Sequence, residues 1–586
     1  MKKKGSKKLA KKSVMKKTAK KTAAPKKVVK AKAAKKQVGS KKSPPTRPVV
    51  PLPLTDDALK LAIANVANFG DTDVFPFPIE NHWFFDRPSE VIEQLQELRS
   101  KGEDAFQYLS VFSSTELINT GYLGFRPATQ IEPLWNTCFL AAAIQVAEKV
   151  ETNRQPRDRV FSYRFEPDTT TGSLFAKVGW KDFHMRGLEL AKDFSHVALV
   201  DISDFYPRIY HHRLENALKT DCQCDGPVVT FIDRFLSKLN GGNSFGLPVG
   251  GPAARILAEA VLTRTDRLIQ MRRIEYLRFV DDYIVFGNSE DEIRKAILDI
   301  SRLLLDNEGL SLNRNKTRLL TSDEYQRQSV LADPSKSDSE DETEKRKFLS
   351  IHLRYDPYSP TADEDYEKLA DSIREYDVLG LLEKELTKSR VDRFALSQLI
   401  KALQFMDEAQ RSDAVRTLAD NLGNMAPVFA TTAIAFRKIK DEIADSAAEL
   451  FFRRVRELVE NRSPLIGASG TLAFAVRVLA DDPSPDADIT LQEIFSQSML
   501  TPVIEREIVL AMVKRKSRGW ISDLKSRYTT LSNPWTIRAL LAGSFVLGDE
   551  GTHWRKATKK ILAPYDVSFL SWLSEKNSGQ EWEVPL

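Results

Sequence analysis

The pattern of apolar and polar residues changes once along the chain. Before about residue 330, apolar residues form short runs between polar turns, and the run Val197–Val200 is typical of a buried strand. From about residue 364 onward, apolar residues recur at helical spacing, as at Leu396, Leu399 and Leu403. The pattern therefore predicts an α+β region followed by an all-α region.

Prolines interrupt the helical pattern repeatedly, at Pro427, Pro464, Pro483 and Pro534. Many helices of about 10–18 residues with short breaks are typical of an α-solenoid of irregular helical hairpins. The same breaks would suit a globular helical bundle. We therefore predict an all-α, helical-repeat-like domain over residues 364–586 and leave its arrangement open between these two.

Composition places the chain among globular proteins. Of its 586 residues, 42% are hydrophobic, which excludes the wholly disordered, collagenous and membrane-embedded classes. The longest nearly unbroken apolar stretch, Phe139–Ala147, is far shorter than the ~18 residues that a membrane span needs. Three cysteines, Cys138, Cys222 and Cys224, are too few for a disulfide framework and favour a reducing compartment.

The net charge of +6 hides an asymmetry between the first fifty residues and the rest. Residues 1–50 contain 19 lysines, Arg47 and no acidic residue, so the rest of the chain carries −14. Self-repulsion and the lack of large apolar residues predict a disordered arm that binds a polyanion such as nucleic acid. A solubilising tail and a targeting peptide are the alternatives. The lysines that we expect to contact phosphates include Lys2, Lys3, Lys4, Lys7, Lys8, Lys11 and Lys12.

Two carboxylate motifs carry the candidate chemistry. Asp201 ends the predicted strand, so it lies at the open edge of a sheet. Two β-rich runs flank Asp281 and Asp282, which predicts a hairpin with both carboxylates in its two-residue turn. Their repulsion costs stability, and a divalent cation would convert them into a ligand set. If the strands are neighbours, we expect a two-Mg²⁺ site; the alternative is an acidic turn and an unrelated aspartate.

A glycine- and proline-rich segment lies between the two acidic motifs. The stretch Gly246-Leu-Pro248-Val-Gly250 predicts a sharp turn, and a helix follows from about Ala253 to Ile269. Glycines where a loop meets a helix let another chain or a base pair approach the backbone closely. The alternative is an ordinary loop and helix.

Together these segments resemble the palm of bacterial reverse transcriptases. Val-Asp201-Ile-Ser-Asp-Phe-Tyr206-Pro resembles motif A, the segment 246–250 motif B, Phe279-Val-Asp-Asp motif C, and the segment 309–317 motif D, all in the expected order. One departure is Phe279, where most reverse transcriptases have tyrosine. Over residues 60–360, the resemblance implies right-hand fingers and palm with an antiparallel catalytic sheet, and RNA-directed DNA synthesis.

The resemblance also implies a role for each matching residue. Asp201 and Asp281 would hold two Mg²⁺ ions, for which Mn²⁺ could substitute, with Asp282 and the Ile202 carbonyl in support. Tyr206 would stand against the sugar 2′ position and exclude ribonucleotides. The remaining nucleotide-site residues that it implies are Arg164 and Lys177 for the triphosphate, Gly246 and Pro248 in the loop, and Lys316 as a general acid for pyrophosphate.

Three further stretches resemble the defence-associated bacterial reverse transcriptases, the abortive-infection and antiviral group: residues 70–78, 124–130 and 211–217. This resemblance implies antiviral defence in the bacterial cytoplasm, with a noncoding RNA as template, dNTPs as substrates and DNA as product. It also implies that the helical domain could join a homo-oligomer or a second defence protein, and no membrane partner is expected.

Two other functions stay open at this point. The same palm could make DNA without a template or from a protein primer, since the chain has many hydroxyl side chains. A nucleic-acid-binding scaffold with an inactive palm is the alternative of another class. The intact carboxylate set Asp201, Asp281 and Asp282 argues against the scaffold.

The predicted domain boundaries follow the changes in composition. The segment Ser335–Glu344 is acidic and lacks apolar residues, which predicts a solvated loop. The predicted domains are a lysine-rich arm over residues 1–50, fingers and palm over 51–330, an acidic linker and palm-closing segment over 331–363, and the helical domain over 364–586.

Overall fold

The computed structural model describes residues 49–121, 124–177, 179–329, 340–350, 369–497, 500–578 and 582–586. The chain from Val49 to Leu586 forms one unit. The lysine-rich arm and most of the linker lie outside the described residues, so what the sequence predicts for them stays a prediction. None of the described helices is long and apolar enough to cross a bilayer.

The described strands form three antiparallel sheets. Their bounds are β1 Ser113–Asn119, β2 Phe125–Ile131, β3 Phe165–Asp168, β4 Ser173–Phe175, β5 His196–Asp201, β6 Glu275–Phe279, β7 Asp282–Gly287 and β8 Arg318–Thr321. Strand β1 pairs with β2, β3 pairs with β4, and the other four form a sheet in the order β6-β7-β5-β8. The predicted antiparallel sheet is therefore confirmed, and Asp201 ends one of its two inner strands.

Alternating residues of the four-stranded sheet pack against helices on both of its faces. Val197 and Ile284 point to one face, where Phe183 of a fingers helix covers them. Ala198 and Val285 point to the opposite face and join the main core. Because successive side chains of a strand point to opposite faces, an uninterrupted apolar run is what a sheet covered on both sides requires.

Helices surround the sheet and build the fingers. The helices up to residue 350 are Asp56–Phe69, Glu80–Asp86, Pro88–Ser100, Ala105–Tyr108, Pro133–Asn153, Trp180–Leu190, Phe205–Arg208, His211–Asn216, Gly226–Leu239, Pro252–Met271, Glu290–Glu308, Ser322–Gln328 and Glu340–Ser350. The predicted helix 253–269 is thus confirmed. The predicted loop 335–344 is wrong from residue 340 on, because the helix Glu340–Ser350 starts there; a segment rich in Glu, Lys and Arg has good helix propensity even where it has few apolar residues.

The C-terminal region is all-α, as predicted. Its helices are Val378–Leu386, Arg393–Ala402, Glu408–Asp420, Phe429–Ile439, Asp445–Glu460, Ser469–Asp481, Asp486–Phe495, Pro502–Lys514, Arg518–Ser526, Pro534–Gly543, Asp549–Thr558 and Pro564–Lys576. Most of them pack chiefly on the helix two places along the chain, which stacks them in two layers. This stacking favours the solenoid arrangement over the bundle. Pro534 starts a helix rather than separating two, since proline fits the first helical position.

Buried arginines fasten the helical layers to the fingers. Arg538 donates to the carboxylates of Glu80 at 2.9 Å and Glu132 at 3.1 Å. Arg506, which is fully buried, donates to Gln130 Oε1 at 3.0 Å and to the Pro76 carbonyl at 3.2 Å. The helical region and the fingers therefore share one polar interface and one core, which the sequence does not reveal.

Candidate active site

The three predicted aspartates lie at one edge of the four-stranded sheet. Strand pairing places Asp201 opposite Asp282, the first residue of β7. The Ile202 N–H donates to the Asp281 carbonyl at 3.0 Å, which ties the end of β5 to the hairpin. Since the N–H and C=O of an extended residue point to the same side, the Ile202 carbonyl also faces the hairpin.

The hairpin turn differs from the prediction by one residue. Its two turn residues are Val280 and Asp281, because Phe279 and Asp282 still pair as strand residues. Val280 has a φ of +57°, a conformation that β-branched residues rarely adopt and that costs of order 1–3 kcal/mol. The backbone is therefore strained directly beside a predicted metal ligand.

A buried arginine holds this strained turn. Arg278 donates from Nη1 to the Val280 carbonyl at 2.8 Å. Its remaining N–H groups bind Asp266 at 2.6 Å and Glu259 at 2.9 Å, both on the helix Pro252–Met271. Arg278 is fully buried. The helix that follows the glycine- and proline-rich loop therefore braces the carboxylate hairpin through one guanidinium.

The carboxylates affect one another's ionisation. Desolvation by burial, followed by the charge of Asp201, raises the pKa of Asp281 to about 6. The side chain of Asp282 is exposed to the cleft described below, although protein atoms surround much of it. Desolvation and then the charges of Asp281 and Asp201 raise its pKa to about 7. A cation at this edge would lower both pKa values, since opposite charge favours the ionised form.

Lys316 supplies one positive charge to the edge. Its Nζ lies 2.6 Å from Asp201 Oδ2. The Asn313 N–H donates to the Asp201 carbonyl at 2.8 Å, and this contact brings the turn that carries Lys316 beside β5. Partial burial lowers the pKa of Lys316, but the hydrogen bond and charge of Asp201 outweigh it, so the net shift is upward.

The donor chemistry of this edge fits a hard divalent cation, but the side chains do not form a closed cage. Strand pairing sets Asp201 directly opposite Asp282, and the charge of Asp201 raises the pKa of both Asp281 and Asp282. Among the described residues, no group of three or more His, Cys, Asp or Glu side chains stands close enough together to hold a metal ion. The strands thus pair Asp201 with Asp282, and the assignment of Asp201 and Asp281 as the principal ligands stays a prediction. Oxygen donors are the ligands that Mg²⁺ prefers.

A cleft of about 380 Å³ opens beside these carboxylates. Its lining comes from the sheet edge, the turn of Lys316 and a fingers helix; the residues include Phe183, His184, Asp201, Asp282, Asn315 and Lys316. Trp180 packs on His184 with ring centroids 4.0 Å apart. Burial lowers the pKa of His184 to about 4, so the imidazole is neutral near pH 7.

The structure brings Tyr206 and the predicted loop together. The Leu247 N–H donates to the Tyr206 carbonyl at 2.9 Å, and the Gly246 N–H donates to the Ile209 carbonyl at 2.8 Å. Gly246 has a φ of +98°, which glycine adopts readily and other residues do not. Pro248 is buried next to this turn. The predicted nucleotide-site residues of these two motifs therefore lie side by side, although none of them lines the cleft beside the carboxylates.

Arg164 does not occupy the position predicted for it. Its side chain is only 2% exposed, and its guanidinium binds Glu151 at 3.2 Å and the Gln155 carbonyl. A cation held inside the fingers in this way cannot contact a triphosphate without breaking a buried ion pair. Lys177 is exposed just before the helix Trp180–Leu190.

Two other arginines act electrostatically on residues of the predicted site, Arg126 on Asp281 and Arg255 on Tyr206, and were missed by sequence reasoning. Arg126, an exposed residue of β2, lies close enough to lower the pKa of Asp281 against the larger effect of burial. Arg255 pairs with Asp73 and lies over the ring of Tyr163 at 4.9 Å. Arg126 belongs to the stretch 124–130 that the resemblance singles out, so the sequence did contain a signal for it.

The geometry defines the class of the site. Three mutually interacting carboxylates on the edge of a four-stranded antiparallel sheet, beside a cleft with a lysine, form the palm of a right-hand polymerase. Residues 142–353 match the family model described as reverse transcriptase (RNA-dependent DNA polymerase). The chain therefore carries a reverse transcriptase domain, that of an RNA-directed DNA polymerase and nucleotidyltransferase. Reverse transcriptase domains use divalent metal ions.

The chain also aligns with solved telomerase structures at low similarity. Apo telomerase from Candida tropicalis is 10% identical over 68% of this chain and 68% of that chain, with a TM-score of 0.27. Telomerase from Candida albicans, in complex with a TWJ fragment of telomeric RNA, is 11% identical over 69% and 62%, with a TM-score of 0.30. At these values neither structure bears on the fold or function of this chain. No curated protein matches it.

Proposed function

We propose that the cleft catalyses Mg²⁺-dependent transfer of nucleotidyl groups from dNTPs to a 3′-hydroxyl on an RNA template, with release of pyrophosphate, in bacterial antiviral defence with a noncoding RNA. The observation that carries the polymerase part is the convergence of Asp201, Asp281 and Asp282 on one sheet edge within a reverse transcriptase domain. The defence part rests on the resemblance of residues 70–78, 124–130 and 211–217 to defence-associated reverse transcriptases.

Each residue of the sheet edge would have its own role in the reaction. Asp201 and Asp281 would bind the divalent cations, and Asp282 and the Ile202 carbonyl would support them. When bound, the cations supply activation of the attacking hydroxyl and neutralise charge on the leaving pyrophosphate. Lys316 would leave Asp201 and donate a proton to the departing phosphate from Nζ, because an ammonium near a developing anion lowers its energy.

Tyr206 would select deoxyribonucleotides. Its backbone is fixed by the loop, and its ring lies close to Phe205, at a centroid distance of 5.4 Å. A 2′-hydroxyl would clash with a ring held at the sugar position. Tyr206→Ala should raise ribonucleotide incorporation about tenfold, whereas Tyr206→Phe should not. Equal ribonucleotide use by the wild type and Tyr206→Ala would remove this role.

The template and product are testable from the nucleic acid that co-purifies with the protein. The comparison is between the wild type and the double variant Asp281→Ala/Asp282→Ala, both expressed in cells and sequenced for RNA and DNA. One enriched RNA with complementary DNA that the variant lacks supports templated synthesis. Low-complexity DNA without complementary RNA would favour template-independent or protein-primed synthesis, and DNA in neither sample would favour the scaffold.

The lysine-rich arm would hold product or template without reading sequence. Lys2 and the other lysines lie outside the described residues, so this role rests on charge alone. Each lost phosphate contact should lower the salt slope of single-strand binding by about 0.7. Deleting residues 1–48 should therefore flatten that slope by several such steps. An unchanged slope would show that the arm does not contact nucleic acid.

A further inference from the structure

The glycine- and proline-rich loop 246–251 is held from two sides through its backbone. From the palm, the carbonyl of Tyr206 accepts from a loop N–H at 2.9 Å. From the fingers, the N–H groups of Thr129 and Asp73 donate to two loop carbonyls, each at 3.3 Å. The loop therefore sets the position of Tyr206 relative to the fingers.

The fingers pack on this loop so closely that two of its positions have no room for a side chain. Gly250 has a φ of +124°, and a Cβ atom there would overlap the Thr72 hydroxyl. A Cβ atom on Gly251 would lie 3.2 Å from the Asp71 carbonyl oxygen. The gap that remains has a volume of about 10 Å³, close to what one water needs. Residues of both sides line it, among them Asp71, Gln130, Pro248 and Gly251.

The helical region bonds to the same part of the fingers through Arg506. Its buried guanidinium donates to Gln130 Oε1 at 3.0 Å and to the Pro76 carbonyl at 3.2 Å. Gln130 Nε2 in turn donates to Asp71 Oδ2 at 3.1 Å, and Asp71 borders the loop. Two consecutive residues of β2 thus connect the helical region to the loop, Gln130 through its side chain and Thr129 through its N–H.

Apolar packing follows the same route as these hydrogen bonds. Tyr206 packs against a core cluster that contains Val249 of the loop and Phe75 of the adjacent fingers segment. The same cluster contains Ile508, which lies on the helix that carries Arg506. Close-packed interiors transmit a displacement because they have little free volume to absorb it. A shift of this helix would therefore reach both the loop and Tyr206.

We propose that Arg506 is a positioning residue of the nucleotide site. Through Gln130 and the loop 246–251 it fixes the place of Tyr206, so the helical region influences the choice between deoxyribonucleotides and ribonucleotides. This inference rests on the proposed function for the role of Tyr206. A ring excludes a 2′-hydroxyl only where its surroundings hold it firmly, so loosening the loop should admit ribonucleotides.

Two substitutions break this connection, one from each side. Arg506→Met removes both bonds to the fingers and keeps most of the apolar bulk of the side chain. It leaves no carboxylate unpaired, because Glu507 also pairs with Arg477 at 2.6 Å. Gln130→Met removes the same bond from the fingers, together with the bond to Asp71.

Arg437→Met is the matched control within the helical region. Arg437 Nε donates to Asp481 Oδ2 at 2.6 Å, and Asp481 also pairs with Lys514 at 2.5 Å. The control therefore removes a largely buried arginine whose carboxylate keeps a second cation, as Arg506→Met does. It differs in that the bond lost lies between two helices of the helical region.

Amide hydrogen exchange of the full chain tests the loop without any nucleotide. The reporting N–H groups are the four that bond the loop to the palm and the fingers, those of Asp73, Thr129, Gly246 and Leu247. Arg506→Met and Gln130→Met should each lower their protection about tenfold. The double variant should lose no more than Gln130→Met alone, because both substitutions break one bond. Arg437→Met should leave the protection of these groups unchanged.

Competition between dATP and ATP for incorporation measures the choice of sugar. The substrate is a DNA primer annealed to poly(rU), and both nucleotides are present in the same reaction. The incorporation ratio does not depend on how much of the protein is folded, so a merely structural role of Arg506 would not change it. Arg506→Met should lower the preference for dATP about threefold, less than Tyr206→Ala does. Arg437→Met should keep the ratio of the wild type.

Three outcomes would overturn the proposal. The first is wild-type protection of the loop in Arg506→Met, and the second is an equal loss of protection in Arg437→Met. The third is a loosened loop in Arg506→Met with an unchanged preference for dATP. A wild type that incorporates neither nucleotide would contradict the proposed function. In that case a loop loosened by Arg506→Met, and not by Arg437→Met, would still support the positioning of Tyr206 by Arg506.

Discussion

Two groups of acidic residues near the catalytic hairpin differ in the charged partners that the fold gives them. Behind the hairpin, Glu259 receives two arginines, Arg154 at 2.8 Å and Arg278 at 2.9 Å. At the sheet edge, Asp281 and Asp282 face another carboxylate, and Lys316 is the cation in direct contact with the group. Desolvation acts on the carboxylates of both groups, so the difference lies in the partners that the fold supplies.

The ionisation of the two groups follows their partners. Burial raises the pKa of Glu259, but Arg154 and Arg278 reverse it and the net shift is downward. Asp266, with Arg278 as its partner, keeps a raised pKa because burial dominates. Asp281 and Asp282 are raised to about 6 and about 7. The fold thus neutralises the buried carboxylate of Glu259 with arginines. At the sheet edge it leaves the negative charge of Asp281 and Asp282 to be neutralised by a bound cation.

The largest effect is expected on nucleotide incorporation, from a substitution at the sheet edge. Asp281→Asn should lower nucleotide incorporation at least about 1,000-fold, or about 4 kcal/mol, because it removes a ligand for charge that develops only in the reaction. The melting temperature should stay equal or rise, since one member of a repelling pair becomes neutral. Incorporation assays and thermal unfolding measure the two effects.

The matched substitution at Glu259 should lower stability strongly and activity only indirectly. Glu259→Gln removes the shared partner of Arg154 and Arg278 and should cost about 3–5 kcal/mol of stability. Activity should fall only as far as folding does. If Asp281→Asn destabilised the protein as much as Glu259→Gln, the carboxylates of the edge would be structural and the comparison would fail.

A comparable loss of stability is expected where the helical region meets the fingers. Arg538→Ala leaves Glu80 and Glu132 buried without their cation and should cost about 3–5 kcal/mol in urea unfolding. Protease sensitivity should rise between the fingers and the helical region first. Arg453→Ala, on an exposed face, is the control. Equal stability of the two variants would show that Arg538 does not fasten the interface.

Much of the catalytic edge was predictable because motifs are local. An apolar run ending in Asp201 and two β-rich runs around Asp281 and Asp282 specify strands and a turn over a few residues each. The position of the turn was off by one because Val280 adopts a positive φ, which no propensity favours in valine. That conformation depends on Arg278, whose bond to the Val280 carbonyl exists only in the folded chain.

The errors in the nucleotide site have a different cause. Arg164 was assigned from its place in the sequence, but whether an arginine faces a cleft or the core is decided by its tertiary neighbours, here Glu151. The pairing of Arg538 with Glu80 and Glu132 had no signal in the sequence either, because the partners are 458 and 406 residues apart along the chain. Local pattern thus predicts elements and motifs, and long-range packing decides which charges meet.

The next smaller effect is on the pH dependence of stability, and it comes from a buried carboxyl group at the interface with the helical region. Asp71 accepts from Gln130 Nε2 at 3.1 Å and Asn81 Nδ2 at 3.3 Å. Burial, opposed by these bonds and by Arg506, raises the pKa of Asp71 to about 6 from 3.8. A raised pKa in the folded state means that stability from this group is full below about pH 4 and is lost as pH rises through 6.

Asp71→Asn should therefore change the pH dependence of stability. The amide cannot ionise, so the stability of the wild type relative to Asp71→Asn should fall by about 3 kcal/mol between pH 4 and pH 7. Urea unfolding of both proteins across this range measures the difference, in which the titration of other groups cancels. A difference that does not change with pH would show that Asp71 ionises normally, and that this interface tolerates an unpaired charge.

The smallest effect on stability is expected from an ion pair whose two side chains are largely exposed to water. Glu290 and Arg294 lie one turn apart on the helix Glu290–Glu308, with N and O atoms 3.3 Å apart and side chains 57% and 69% exposed. Water already solvates both charges, so Arg294→Ala should change the free energy of unfolding by less than about 0.5 kcal/mol. Urea unfolding at low and high salt measures it. A loss comparable to that of Arg538→Ala would mean that burial does not decide how much an ion pair contributes to the free energy of unfolding in this protein. The comparison between the sheet edge and the arginines behind it would then have no physical basis.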